Sequence, residues 1–284
     1  MAGNRQAIQS RIRSVRSTKK TTKAMQMIAN SKLAKQRKLM EANRAYALEL
    51  QRLVEEIMGS GQPLESTFLQ EHRSDGAYTV FLCSDLGLCG GYNSNVIKFA
   101  LENLRREDPL LVVGTHAYSQ MRREGFTLVN DEPIPMDAVG ESTLAEALDE
   151  GMRLFLADQV GRVQVCYTRF VNTLTFEPTI NVLLPFGGQA DLADGDRPVL
   201  SDLMFDPSAA AVLDQLIVQM VHNVAYAHVL EARTAEQGSR RLAMDTATNN
   251  AEELEDKLVL QFNQARQAAI TQELTEIVGT ANAL

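Results

Sequence analysis

The N-terminal part of the chain reads NRQAIQSRIRSVRSTKKTTKAMQMIANSKLAKQRKLMEANRAYALELQRLVEEIM over residues 4–58. It contains no glycine and no proline, the two residues that most often break a helix. A helix of this length would measure roughly 80 Å, which is longer than an ordinary domain core. Apolar side chains recur in it with alternating spacings of three and four residues, the pattern of a coiled-coil seam. They are Ile8, Ile12, Val15, Ala29, Leu33, Met40, Ala47, Leu50, Val54 and Ile57.

Polar residues occupy the remaining positions of this seam. They are Lys19, Thr22, Gln26, Gln36 and Asn43. A seam with so many polar side chains packs poorly against another helix. We therefore expect some partners of this helix to be protein surfaces that come and go.

Charge is distributed unevenly along the chain. The 284 residues carry a formal net charge of −8, yet residues 1–58 hold 13 basic and only 4 acidic side chains. No acidic residue precedes Glu41. This asymmetry favours an acidic partner for the basic segment, with a solvated basic face as the simpler alternative.

The three cysteines show no metal-ligand spacing. Cys83 and Cys166 lie in apolar, strand-like runs, where a free cysteine behaves as a small hydrophobic residue. Cys89 lies between them in a glycine-rich turn. A reducing compartment is the simplest interpretation. No apolar run reaches the length of a transmembrane helix.

The period of the sequence changes after residue 76. The first helix is predicted to end at the GSGQP sequence of residues 59–63. Beyond it, strands are predicted at residues 78–83, 110–114, 126–129, 163–171 and 179–184, and helices at 93–106, 116–124 and 141–157. Strands that alternate with helices imply an α/β layer domain with a mainly parallel sheet.

The helical period returns after residue 208. One apolar seam is predicted at Leu213, Ile217, Met220, Val224 and Ala227, and a second at Met244, Ala247, Ala251, Leu254, Leu258 and Ala265. Gly238 is predicted to bend this helix without ending it. The predicted fold class is α/β, with a central Rossmann-like domain at residues 76–184. Two very long terminal helices, 1–58 and 208–284, flank it as an antiparallel coiled coil, and residues 185–207 form a linker.

The glycine-rich turn DLGLCGG at residues 85–91 follows a strand and precedes a helix, where a phosphate-binding loop would lie. No Lys-Ser or Lys-Thr pair follows the glycines, so a tight structural turn is the favoured interpretation. The four histidines are scattered, and each is expected to be solvated or to cap a helix. We predict no catalytic and no metal-binding residue. A nucleic-acid-binding adaptor and a nucleotide-binding enzyme are the alternative functions.

Three stretches together resemble one family, the γ subunit of the F-type ATP synthase. They are IRSVRSTKKTTKAMQMIANSKL at residues 12–33, SDLGLCGGYN at 84–93 with the strand before it, and NQARQAAITQELTEIVG at 263–279. The segment RFVNTLTFEPTINVLLP at residues 169–185 is also similar to the family. Leu86 replaces a residue that is usually basic in the family, and Thr280 replaces a frequent glycine. No cysteine-bearing insert lies between Val171 and Ser208, so thiol control of the chloroplast type is not expected.

The resemblance implies a central rotor shaft that is not itself an enzyme and needs no cofactor. The implied partners are three α and three β subunits, the ε subunit and the membrane ring of c subunits, with no nucleic acid. Rotation of the c ring, driven by ions, would be coupled through the shaft to ATP synthesis on the β subunits, or the reverse. The implied location is the cytoplasmic face of a bacterial inner membrane, with the chain attached peripherally through the complex.

The resemblance also implies which residues of the shaft contact the α/β ring. The basic side chains would face acidic loops of the β subunits, Met25 would lie where the shaft passes those loops, and the C-terminal helix would meet catch loops. The predicted contact residues are Arg11, Lys19, Lys20, Lys23, Met25, Arg240, Arg266, Gln267 and Thr271. The alternative for each is a solvated or seam residue.

Overall fold

The computed structural model describes residues 2–59, 66–70, 72–186, 205–206 and 208–281. The chain divides into two compact units. The terminal unit consists of Met1–Ser31 and Arg240–Leu284, and the sheet unit consists of Lys32–Ser239. The two long helices, α1 (Ala2–Gly59) and α5 (Ala209–Ala281), each contribute to both units.

The sheet unit is built on five strands. They are β1 (Ala77–Leu82), β2 (Pro109–Val113), β3 (Thr127–Leu128), β4 (Arg162–Phe170) and β5 (Phe176–Leu184). Their spatial order is β3-β2-β1-β4-β5. All neighbours are parallel except β4 and β5, which form an antiparallel pair. The predicted α/β class with a mainly parallel sheet is therefore confirmed.

Helices cover both faces of the sheet. One face packs on α2 (Tyr92–Asn103) and α3 (Thr115–Arg123), and the other packs on α4 (Glu141–Leu156) and on the parts of α1 and α5 in this unit. Because side chains alternate along a strand, Phe81 of β1 points to the first face and Val80 to the second. Both are completely buried. This burial on both faces explains why β1 is apolar throughout its length.

The predicted seam of α1 is confirmed at every position. From Ile8 to Ile57, each seam residue is buried or half-buried, whereas most of the other side chains in this range are exposed. In both units α1 and α5 are antiparallel, because contacts at higher residue numbers on α1 match lower numbers on α5. The contacts are Arg16–Glu255, Lys19–Glu252, Thr22–Thr248 and Gln26–Asp245 in the terminal unit, and Asn43–Asn223 in the sheet unit.

Part of the predicted C-terminal seam is wrong. Leu254 is 47% exposed, and the neighbouring Glu255 faces α1 in its place. Thr248 is likewise more buried than the predicted Ala247. Apolarity alone selected Ala247 and Leu254, but a step of one residue on a helix turns the side chain by about 100°, so the polar neighbours face α1.

Gly238 does not interrupt α5, as predicted, and its role is a packing one. A Cβ atom at this position would lie 2.8 Å from Cε1 of Phe176, within the sheet unit. Glycine therefore lets the helix backbone approach an aromatic ring of β5. This close approach compensates for the poor helix propensity of glycine.

The predicted end of the first helix is confirmed, since α1 ends at Gly59. Residues 60–63 of the predicted stop signal, and residues 187–204 and 207 of the predicted linker, lie outside the described residues. The division of the chain at residues 1–58, 76–184, 185–207 and 208–284 stays a prediction.

Candidate functional site

All nine predicted contact residues belong to the terminal unit. Most of them are exposed on its surface, namely Arg11, Lys20, Lys23, Arg266, Gln267 and Thr271. Lys19, Met25 and Arg240 are half-buried. The described contacts bring none of these nine side chains together into one site, which is the arrangement of a distributed surface and not of a catalytic centre.

Lys19 is the predicted contact residue with the strongest internal interactions. Its Nζ lies 2.9 Å from Glu252 Oε1 and 3.5 Å from Glu255 Oε2, and Arg16 Nε donates to Glu255 Oε1 at 2.7 Å. The hydrogen bond to Glu252 raises the pKa of Lys19. The hydrogen bond from Arg16 lowers the pKa of Glu255 below its ordinary value. The four charges therefore act as a clamp between α1 and α5, which we call the ionic clamp.

The polar seam continues beyond the ionic clamp. Gln26 Nε2 donates to Asp245 Oδ1 at 2.6 Å, and the hydroxyls of Thr22 and Thr248 lie 2.8 Å apart. The interpretation that the polar seam awaits outside partners is therefore wrong at Lys19, Thr22 and Gln26. Polar side chains on α5 lie opposite them, so each buried polar group finds a partner within the unit.

We expect Glu255→Gln to weaken the terminal unit and to reduce its sensitivity to acid. A carboxylate whose pKa is lowered by folding stabilises the fold above its ordinary pKa of about 4.5, and this stabilisation is lost as the pH falls through the lowered value. Thermal unfolding between neutral pH and about pH 3 measures both effects. The glutamine variant should have a lower midpoint at neutral pH and a flatter acid dependence.

Glu253→Gln is the matched control for this prediction. Glu253 is exposed and forms no ion pair among the residues that the structure describes. It lies two residues from Glu255 on the same helix, so the control changes the same charge in the same neighbourhood. Equal midpoints and equal acid profiles for the two variants would show that the ionic clamp contributes nothing.

The glycine-rich turn is held by its own polar side chains and by α5. The Asp85 carboxylate accepts hydrogen bonds from three backbone N–H groups, those of Thr115, Met136 and Asp137, at 3.0, 2.9 and 3.2 Å. Ser239 Oγ of α5 donates to the Cys89 carbonyl at 2.7 Å. Tyr92, the first residue of α2, donates its hydroxyl proton to the Ala232 carbonyl at 3.1 Å. These contacts favour the interpretation of a tight structural turn.

Burial makes two of the cysteines poor nucleophiles. It raises the pKa of Cys83 to about 12 and that of Cys166 to about 12. Only about one thiol in ten thousand would be ionised at pH 8, and the thiolate is the reactive form. We expect iodoacetamide to leave both residues unmodified in the native chain and to modify both in guanidinium. Mass spectrometry of tryptic peptides measures the labelling, and rapid native labelling of Cys166 would contradict the prediction.

The histidines do not all lie where the sequence predicted. His228 is only 8% exposed, lies 2.8 Å from Asn181 Nδ2 and stacks on the Tyr167 ring, so it is neither solvated nor a helix cap. His222 contacts Asp149 at 2.8 Å. In the described ranges, no group of three or more His, Cys, Asp and Glu side chains could hold a metal ion. No helix of the described part is long and apolar enough to cross a bilayer.

The acidic partners of α1 were missed at the level of sequence. A signal for them exists, because Lys19 and Gln26 are seven residues apart and their partners Glu252 and Asp245 are also seven apart. Matching heptads of complementary polarity on two helices indicate a paired polar seam. The search considered only apolar side chains in α5 and therefore did not find this seam.

Comparison with known proteins gives a consistent result. A family model described as ATP synthase matches residues 4–284. The chain is similar to the ATP synthase gamma chain of Alkaliphilus metalliredigens, with 35% identity over 289 residues and 98% of each chain covered. It is similar to that of Symbiobacterium thermophilum at 36% identity, with 100% of this chain and 99% of the relative covered. The fold resembles a chain of the Euglena gracilis mitochondrial ATP synthase OSCP/F1/c-ring structure, with a TM-score of 0.69, 18% identity, and 100% and 95% of the two chains covered.

Proposed function

The chain belongs to the ATP synthase γ-chain family, and we propose that it is the central rotor shaft of an F-type ATP synthase. In this role it transmits rotation between the ion-driven ring of c subunits and catalytic sites on the β subunits. The chain itself is a non-catalytic component of the complex. The observation that carries the proposal is the antiparallel pairing of α1 and α5 in the terminal unit, which joins the first and last parts of the chain.

A shaft has to resist twisting, and the terminal unit has the contacts to do so. The ionic clamp, the Thr22–Thr248 contact and the Gln26–Asp245 hydrogen bond fix the register of the two helices. A slip by one turn would break all of these contacts together and leave buried polar groups without partners. The polar seam therefore supports a single register more strongly than an all-apolar seam would.

A shaft must also avoid binding any single orientation tightly. The outer face of α1 in the terminal unit presents basic and small polar side chains, with Met27 and Ile28 as its exposed large apolar residues. Long flexible cations make weak, salt-sensitive contacts with acidic surfaces. Such contacts are suited to partners that change as the shaft turns.

We assign the contacts with the α/β ring to the predicted residues of the terminal unit. Lys20 and Lys23 are the strongest candidates on α1, because neither forms an ion pair among the described residues and both are exposed. Lys19 contributes through the ionic clamp and is a positioning residue. The other proposed contacts are Arg11, Met25, Arg240, Arg266, Gln267 and Thr271.

The remaining partners and the location follow from membership of this family. We propose that three α and three β subunits surround the terminal unit and that the ε subunit and the c ring contact the rest of the chain. Membrane association is then peripheral and indirect, on the cytoplasmic face of a bacterial inner membrane. The chain needs no cofactor and contacts no nucleic acid in this role.

A pull-down from the native membranes tests the proposal. A tagged chain is recovered from membranes washed at low ionic strength, which releases peripheral complexes. The rotor proposal predicts α and β subunits in about threefold excess each over the chain. Recovery of the chain alone, or with nucleic acid, would reject the proposal.

A further inference from the structure

Three helices of the sheet unit enclose an open groove of about 530 Å³. Its lining comes from α1, from the first turns of α4 and from α5. The lining residues are Tyr46, Glu141, Ser142, Ala145, Gln219, His222 and Asn223. The contacts of the proposed shaft do not use this groove, since all of its residues belong to the sheet unit.

Tyr46 belongs to an exposed apolar stripe on α1. Leu39, Tyr46 and Leu53 are spaced by seven residues and are 43%, 51% and 45% exposed. Residues seven apart lie on the same side of a helix, so the three side chains form a line about 21 Å long. The stripe runs beside the buried seam of α1, which is the position that a third helix occupies in a helical bundle.

The groove contains a buried acceptor without a partner. Asn223 is 3% exposed, and its Nδ2 donates to Asn43 Oδ1 at 3.1 Å. Its Oδ1 has no hydrogen-bond partner in the part of the chain that the structure describes. A buried carbonyl oxygen left without a donor is costly, so the site favours a ligand with an N–H group.

The charge of the lining points to the same kind of ligand. Glu141 is exposed in the lining and forms no ion pair among the described residues. The imidazole of His222 is already held by Asp149 at 2.8 Å. A Lys or Arg side chain would supply both the positive charge for Glu141 and the donor for Asn223 Oδ1.

We propose that the groove and the stripe together bind an amphipathic helix of another protein of the complex. The apolar face of this helix covers Leu39, Tyr46 and Leu53, and one of its Lys or Arg side chains enters the groove between Glu141 and Asn223. A second copy of this chain fits less well, because a symmetric contact would bring the two Glu141 carboxylates together. An anionic membrane is disfavoured for the same reason. The inference rests on the proposed function only in taking the partner from the same complex.

Photo-crosslinking in the assembled complex tests the proposal. The probe is p-benzoylphenylalanine at position 46, which preserves the aromatic ring of Tyr46, and the crosslinked peptides are identified by mass spectrometry. The expected adduct joins position 46 to a segment of another subunit with apolar residues at helical spacing and a nearby Lys or Arg. The probe at Leu48, an exposed residue of a different face of α1, is the matched control and should not form this adduct.

A charge reversal makes the test specific for the groove. Glu141→Lys should lower the yield of the adduct about tenfold, because it places like charges together. Glu124→Lys reverses another exposed carboxylate of the sheet unit and should leave the yield unchanged. Adducts confined to this chain, adducts to an acidic or extended segment, or an unchanged yield with Glu141→Lys would overturn the inference. The α and β subunits in the same preparation report separately on the proposed function.

Discussion

Gly114→Ala is expected to destabilise the sheet unit by about 2–6 kcal/mol. This is the largest effect that we expect from a single methyl group in the chain. Gly114 follows β2 and lies beside the end of β1, where its N–H donates to the Ile134 carbonyl at 2.8 Å. A loss of this size would lower the thermal midpoint by about 5–20 °C in a chain of this length.

Two independent effects contribute to this loss. Gly114 has a φ of +103°, a conformation that costs a residue with a side chain about 1–3 kcal/mol. An added Cβ would also lie 2.2 Å from the carbonyl oxygen of Cys83. That oxygen belongs to buried backbone, so the clash is relieved only by moving the end of β1, at a further cost of about 1–3 kcal/mol.

Gly125→Ala separates the two effects. Gly125 has a φ of +84°, but no atom lies within 4 Å of an added Cβ. The control therefore carries the conformational cost alone, and its midpoint should fall between those of the native chain and of Gly114→Ala. Equal midpoints for the two variants would contradict the steric part of the prediction, and a native midpoint for Gly114→Ala would contradict all of it.

The sequence predicts the elements of this chain well because each has a strong local signal. The apolar positions of α1 from Ile8 to Ile57 follow one period without a break, and the burial of all of them matches it. The strands around Phe81 and Val112 are apolar runs between turn residues, which is typical of strands buried on both faces. In these elements, local propensity and burial indicate the same structure.

The contacts between elements are less predictable, because they depend on residues far apart in the chain. Asp85 bonds to backbone groups 30 to 52 residues away, and no local pattern indicates its partners. His228 is buried because β4 and β5 bring Tyr167 and Asn181 to it. For the same reason, the polar seam was recognised in α1, but its partners in α5 were not.

The ionic clamp changes how the functional residues should be tested. Reversing Lys19 removes contacts with Glu252 and Glu255 inside the terminal unit, so any functional defect would be mixed with a structural one. Lys20 and Lys23 are exposed and have no such contact among the described residues. A variant of these two residues therefore reports on contacts with partners, and a Lys19 variant reports mainly on the register of the helices.

Lys20→Glu with Lys23→Glu is expected to lower the number of ions pumped per ATP hydrolysed by about twofold or more, because like charges brought together at an interface cost several kcal/mol. Assembly with the α and β subunits should remain, since neither side chain contributes to the pairing of α1 with α5. ATP hydrolysis and ion pumping are measured on the same membrane vesicles, so that their ratio does not depend on the amount of complex.

Lys32→Glu with Lys35→Glu is the matched control for this prediction. These lysines have the same spacing on the same helix and are also exposed, but they belong to the sheet unit. If the basic side chains of the terminal unit face acidic loops of the β subunits, only the first pair should change the coupling ratio. A ratio that stays at the native value for Lys20→Glu with Lys23→Glu would reject this role, and an equal fall in both pairs would attribute the effect to net charge. A fall confined to the first pair would locate the coupling contact on the outer face of α1, one turn beyond the ionic clamp.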